Sequence, residues 1–134
     1  MAFGEISRMT LWIGGIGLVW NLLGLAAFFN QMMMDTSALP DAQRAFHETM
    51  PLWAKTAFFI AVSMGAVGCI ALLTGQSWAR IAFAASLLGI VLQNVHSFVL
   101  GKGLDVFGPG AVAMPILVFL IAVFLLYYAN SLVR

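Results

Sequence analysis

The sequence predicts an all-α membrane protein: four transmembrane helices in an antiparallel bundle, with a short amphipathic helix between the first and the second. Three observations carry that expectation. Hydrophobic residues make up 63% of the chain and charged residues 8%, against roughly 45–50% and about 25% in soluble proteins. A domain of this size keeps much of its area in solvent and could not conceal so much apolar surface from water. Four stretches, residues 9–34, 52–74, 78–100 and 110–132, each supply the ~20 mostly apolar residues that cross a hydrocarbon layer, and none holds Asp or Glu. None alternates in polarity as a barrel strand would, and backbone groups in lipid must then bond within helices.

The spans follow one another in a single domain covering residues 1–134. The first begins after Arg8 and is too long for a signal peptide's apolar core of roughly 7–15 residues, so it reads as a membrane span. The connection from Asp35 to Met50 is the longest. In it Leu39, Ala42, Phe46 and Met50 recur at helical spacing, and Pro40 suits a first helical position. Asp41, Arg44 and Glu48 fall on the opposite side and can pair, which predicts a helix lying on the membrane surface. Thr74-Gly75-Gln76-Ser77 is a tight turn that makes the second and third spans antiparallel neighbours. Gly101-Lys102-Gly103 ends the third span, and Gly108-Pro109-Gly110 introduces the fourth. Pro115 belongs in the first turn of that helix or at a kink, because it has no N–H to donate.

Trp12, Trp78, Tyr127 and Tyr128 mark one membrane interface and Trp53 the other. Orientation is evenly poised: Arg8, Arg80 and Arg134 share one side, and Arg44, Lys55 and Lys102 the other. The expectation is both termini in the cytoplasm.

Polar residues inside the spans are few, and their spacing is informative. Ala82, Ser86, Gly89, Gln93 and His96 advance by four, three, four and three residues, one stripe along a helix. Gly17, Asn21, Gly24, Phe28 and Gln31 form a similar stripe in the first span, and Ala61, Gly65, Gly68 and Leu72 a small-residue seam in the second. Such stripes face protein, since small side chains permit close approach and polar ones need partners. At ~1.5 Å rise per residue, Asn21 falls near the midplane, with Gln93, His96, Gln31 and Lys55 progressively toward the long connection. That half of the bundle is where a site is expected, with His96, Gln93, Gln31, Asn21 and Lys55 as the candidate ligand-binding residues.

Other chemistries lack parts. Net charge is +1, which provides no field for nucleic acid. The single cysteine, Cys69, excludes an intramolecular disulfide. Met32, Met33, Met34, His47 and Met50 lie toward the side that His96 faces and suit Cu(I) by ligand type. Three consecutive methionines point in three directions, however, so neither metal nor cofactor is expected. With no acidic residue in a span, no nucleophile–base set and no phosphate loop, an enzyme is not expected.

Trp20-Asn21, Leu39-Pro40 with Arg44, Pro51-Leu52-Trp53-Ala54, Trp78-Ala79, Gln93, His96, Gly108-Pro109-Gly110 and Met114-Pro115 together resemble a group of small bacterial four-helix membrane proteins, commonly labelled sugar transporters or left uncharacterised. The resemblance implies a protein of the bacterial inner membrane. Small multidrug exporters also have four spans but carry a titrating carboxylate where this chain has Asn21. Half-transporters for sugars have three spans and a Pro-Gln pair that is missing here. The expectation is a small polar-solute transporter or ligand-binding membrane protein, homo-oligomeric because four helices make a narrow bundle and a conducting pathway forms more easily between protomers, with glycine-rich faces in support. The alternative is an accessory or assembly subunit with no substrate of its own.

Overall fold

A computed structural model describes residues 5–100 and 102–132. Gly101 and Arg134, which entered the sequence reading, lie outside the described residues. The chain is all-α, and four of its helices are long and apolar enough to cross a membrane.

Helix α1 (Arg8–Met33) starts at Ser7, whose hydroxyl oxygen accepts from the Thr10 N–H and satisfies one of the donors left open by a helix start. A 3₁₀ turn (Thr36–Ala38) leads to α2 (Asp41–Glu48), with Pro40 as its N-cap rather than its first helical residue. Arg44 pairs with Asp41 at 3.0 Å, three residues back, as its spacing requires, while Glu48 accepts from the Thr36 hydroxyl. Helix α3 (Leu52–Leu73) and helix α4 (Ala79–Val95) are joined by a turn in which Gly75 takes φ +73°, a conformation that costs side-chain-bearing residues energy.

Two features at the far end of α4 differ from the expectation. The span continues through one π-helical turn, His96–Leu100, and a short helix α5 (Gly103–Phe107) follows Lys102, itself at φ +53°. The last helix, α6 (Ala113–Leu132), begins three residues later than expected because residues Pro109–Val112 wind as a 3₁₀ turn after Gly108 at φ +89°. Pro115 sits in the first turn of α6, where its missing N–H has no intrahelical acceptor to lose.

Helix α1 packs on α3, α3 on α4, and α4 on α6. The two inner helices hold the fold: 44% of the α3 span is buried, against 17% for α1 and for α6. The stripes read from the sequence are the contact faces. Ala61, Gly65, Gly68 and Leu72 are all buried on α3: Ala61 meets Ser86 and Gly89 of α4, Gly68 lies under the Phe83 ring of α4, and Gly65 lies under Asn21 of α1. The Ser86 hydroxyl donates to the Ala61 carbonyl at 2.6 Å, a bond between helices that only small neighbours allow. The main core lies toward the α3–α4 turn, where Cys69, Leu72, Phe83, Leu125 and Ala129 are packed together. Large apolar residues on the outer faces, such as Ile16, Ile81, Leu88 and Leu120, are exposed, as hydrocarbon-facing positions are.

Candidate functional site

Helices α1 and α6 meet at one end only. Near the start of α1, Thr10 is buried and its hydroxyl shares a 2.7 Å hydrogen bond with that of Tyr128 on α6. Two turns on, Gly17 faces Leu125 closely enough that a Cβ there would stand 3.4 Å from its methyl. Beyond that point the two helices part. Ala27 on α1 and Val118 on α6 are too short to close the gap, and Gly24 faces Val62 of α3 instead of α6.

The result is a cleft of about 370 Å³, within the range of small-molecule sites. Its walls are Trp20–Ala27 of α1 and Met114–Val118 of α6, and its floor is Phe58 and Ala61 of α3 with Ile90 of α4. At ~1.5 Å per residue the cleft runs from the middle of the bundle to ~10 Å toward the long connection. Its inner end is closed by the packed Phe83, Ala122 and Leu125, around a residual space of about 20 Å³. A shallower groove of about 230 Å³ shares Asn94 and Pro115 with the cleft and continues on the outer side of α6, along Phe98, Val112, Ile116 and Phe119.

Three amides line the cleft: Asn21, Gln93 and Asn94. They differ in how they are held. Asn21 is 91% buried, and its Nδ2 donates to the Gly17 carbonyl at 2.8 Å and lies 3.8 Å from the Cys69 Sγ. It sits against the Gly65 Cα, which makes room for it. Gln93 and Asn94 are half-buried, and neither has a hydrogen-bond partner among the described residues. Surrounded by hydrocarbon alone, each unpaired amide would cost roughly 4–8 kcal/mol. No charged side chain is among the described lining residues.

The structure divides the candidate residues between places. Asn21 and Gln93 come together at the cleft. His96 follows Gln93 by three residues but lies outside the cleft lining, under a cap made by α2 and α3. Its ring packs on Phe46 at 5.6 Å and Trp53 at 5.7 Å, and Phe46 in turn packs on Phe107 at 5.1 Å. His96 is 6% exposed, and its Nδ1 is buried with no partner among the described residues. Gln31 points to the same end and donates weakly to the Met50 sulfur at 3.8 Å. Lys55 is half-buried and forms no ion pair among the described residues.

The candidate site residues read from the sequence do not include Asn94 or Val118, and Trp20, Met114 and Pro115 enter there only through the family resemblance or as a helix start. Asn94 carried a signal: an amide inside an apolar span, one position off the protein-facing stripe, needs a reason to be there. Nothing in the sequence assigns the α6 residues Met114, Pro115 and Val118 to a site; their distance from α1 makes them relevant.

Fold and cleft together describe a helical-bundle membrane protein with a side cavity in one half of its thickness. The chain matches no protein-family model, no curated protein and no solved structure.

Proposed function

We propose that this protein binds a small amphipathic molecule, which enters sideways from the bilayer into the cleft between α1 and α6. One observation carries the reading: Gln93 and Asn94, two amides without hydrogen-bond partners among the described residues, line a mostly apolar space of ligand size. A ligand with an apolar body and a hydrogen-bonding group would satisfy both the walls and the amides. The apolar lining favours such a molecule over a sugar-like polar solute. The packed residues Phe83 and Leu125 beyond the inner end favour a binding protein over a transporter with a path across the bundle. The family resemblance read from the sequence supports a place in the bacterial inner membrane.

The glycine-rich faces are the sequence's added support for a homo-oligomer. Gly14, Gly17, Gly65, Gly68 and Gly89 all pack against neighbours within the protomer, so an oligomer would be built on the exposed outer faces of α1 and α6 instead. An accessory subunit would use the same faces.

Native mass spectrometry of protein extracted in mild detergent tests the proposal. The expected result is a co-purifying small molecule that is lost from Ala27→Phe, which fills the cleft from the α1 side. Identical bound species in wild type and variant would refute it.

A further inference from the structure

We propose that the ligand is uncharged and that its polar end both donates and accepts hydrogen bonds, as a primary amide on an alkyl chain does. This rests on the ligand-binding reading above and narrows it to a chemical class. Among the described residues the cleft is lined by no charged side chain, so an ionised ligand would leave water with nothing to balance it, a cost that neutral molecules do not bear. Gln93 and Asn94 each present a carbonyl acceptor and an NH₂ donor. A ligand with only an acceptor, such as an ether or a tertiary amide, would leave their carbonyl oxygens unpaired. A primary amide fits both groups of one side-chain amide at once and leaves the second residue to take what remains.

Asn21 can add to this role only the acceptor of its Oδ1. Its Nδ2 is already committed to the Gly17 carbonyl at 2.8 Å, and its side chain fills the hollow over Gly65. It stabilises the α1–α3 contact and forms the inner limit of the cleft. The apolar part of the ligand has two places to lie: along Trp20, Leu23 and Phe58 within the cleft, and beyond Asn94 in the groove beside Phe98 and Phe119. The two spaces meet at Asn94 and Pro115, so the polar end sits between them.

Trp20 in the cleft wall supplies the readout. In a variant with Trp12→Phe, Trp53→Phe and Trp78→Phe, Trp20 is the only indole, and a bromine on a bound chain quenches it. The expected result is saturable quenching by 12-bromododecanamide, reversed by unbrominated dodecanamide. N,N-dimethyldodecanamide, which accepts but cannot donate, should displace the probe about tenfold more weakly, the value of one or two net hydrogen bonds. Dodecyltrimethylammonium should be weaker still. Gln93→Leu and, independently, Asn94→Leu should reduce the gap between amide and dimethylamide while leaving quenching by 1-bromododecane intact, which shows the cleft still formed. Equal displacement by amide, dimethylamide and ammonium overturns the inference and leaves the cleft as a general apolar site. Absence of saturable quenching by any brominated chain overturns both this inference and the ligand-binding reading.

Discussion

Gly89→Ala tests the contact on which the bundle is built. A Cβ at Gly89 would stand 2.7 Å from the Ala57 carbonyl oxygen and 3.0 Å from the Ala61 nitrogen. Ordinary contact begins at 3.4 Å, so the nearest approach is 0.7 Å short. Both opposing atoms are backbone, and no rotamer change can relieve them. Helices α3 and α4 must separate, which stretches the 2.6 Å bond from Ser86 to the Ala61 carbonyl. Overpacking costs about 1–3 kcal/mol, and an interhelical hydrogen bond in a membrane protein contributes about 0.6 kcal/mol. The expected loss is about 2 kcal/mol, a large part of the marginal stability of a domain. Gly15→Ala is the matched control: it is also in a long helix, and its Cβ would have nothing within 4 Å. The control reports the intrinsic gain of alanine over glycine in a helix, and the difference between the variants reports the clash. Reversible unfolding in mixed micelles, with SDS titrated against a mild detergent, measures both. If the two variants agree within about 0.5 kcal/mol, the spread of substitutions that touch nothing, the close approach of α3 and α4 is wrong. The floor of the cleft would then be wrong with it, because Ala61 and Ile90 belong to the same crossing.

Two further outcomes follow from the ends of the bundle. Thr10→Val and Tyr128→Phe each remove one side of the 2.7 Å bond between α1 and α6; a double-mutant cycle should give a coupling of about 0.5–1.5 kcal/mol, and additive losses would show that the bond does not hold the helices together. Outside the membrane, the Ser37 hydroxyl and then the Ser37 N–H hold the Asp35 carboxyl below its ordinary value by donating to it. A lowered carboxylate contributes its stabilisation above the unfolded-state value and loses it as pH falls through the folded-state value. NMR titration should therefore find Asp35 ionised to lower pH than a free aspartate, with Ser37→Ala moving it back up; no movement would contradict the turn.

The four spans and their inward faces were legible because hydrophobic period reports the surroundings of each helix separately. Ala82, Ser86 and Gly89 recur at helical spacing, and they are buried for the reason that spacing implies: small and polar groups are placed against protein while leucine and phenylalanine face hydrocarbon. The same logic located Asn21 and Gln93. It grouped His96 with Gln93, since they are three residues apart, yet the cleft takes Gln93 while the aromatic cap of Phe46 and Trp53 encloses His96. Sequence spacing determines which way a residue leaves its own helix, and the neighbours on that side come from distant parts of the chain.

The cleft itself belongs to tertiary structure alone. Its walls come from opposite ends of the sequence, Trp20–Ala27 and Met114–Val118, and exist because α1 and α6 touch at Thr10 and Tyr128 and then diverge. A helix-by-helix pattern carries the burial of each face but not the angle between two helices that share no connection. The sequence alone determined a four-span membrane protein with its polar groups turned inward. The divergence of two outer helices decided that a pair of those groups would meet an open space instead of each other.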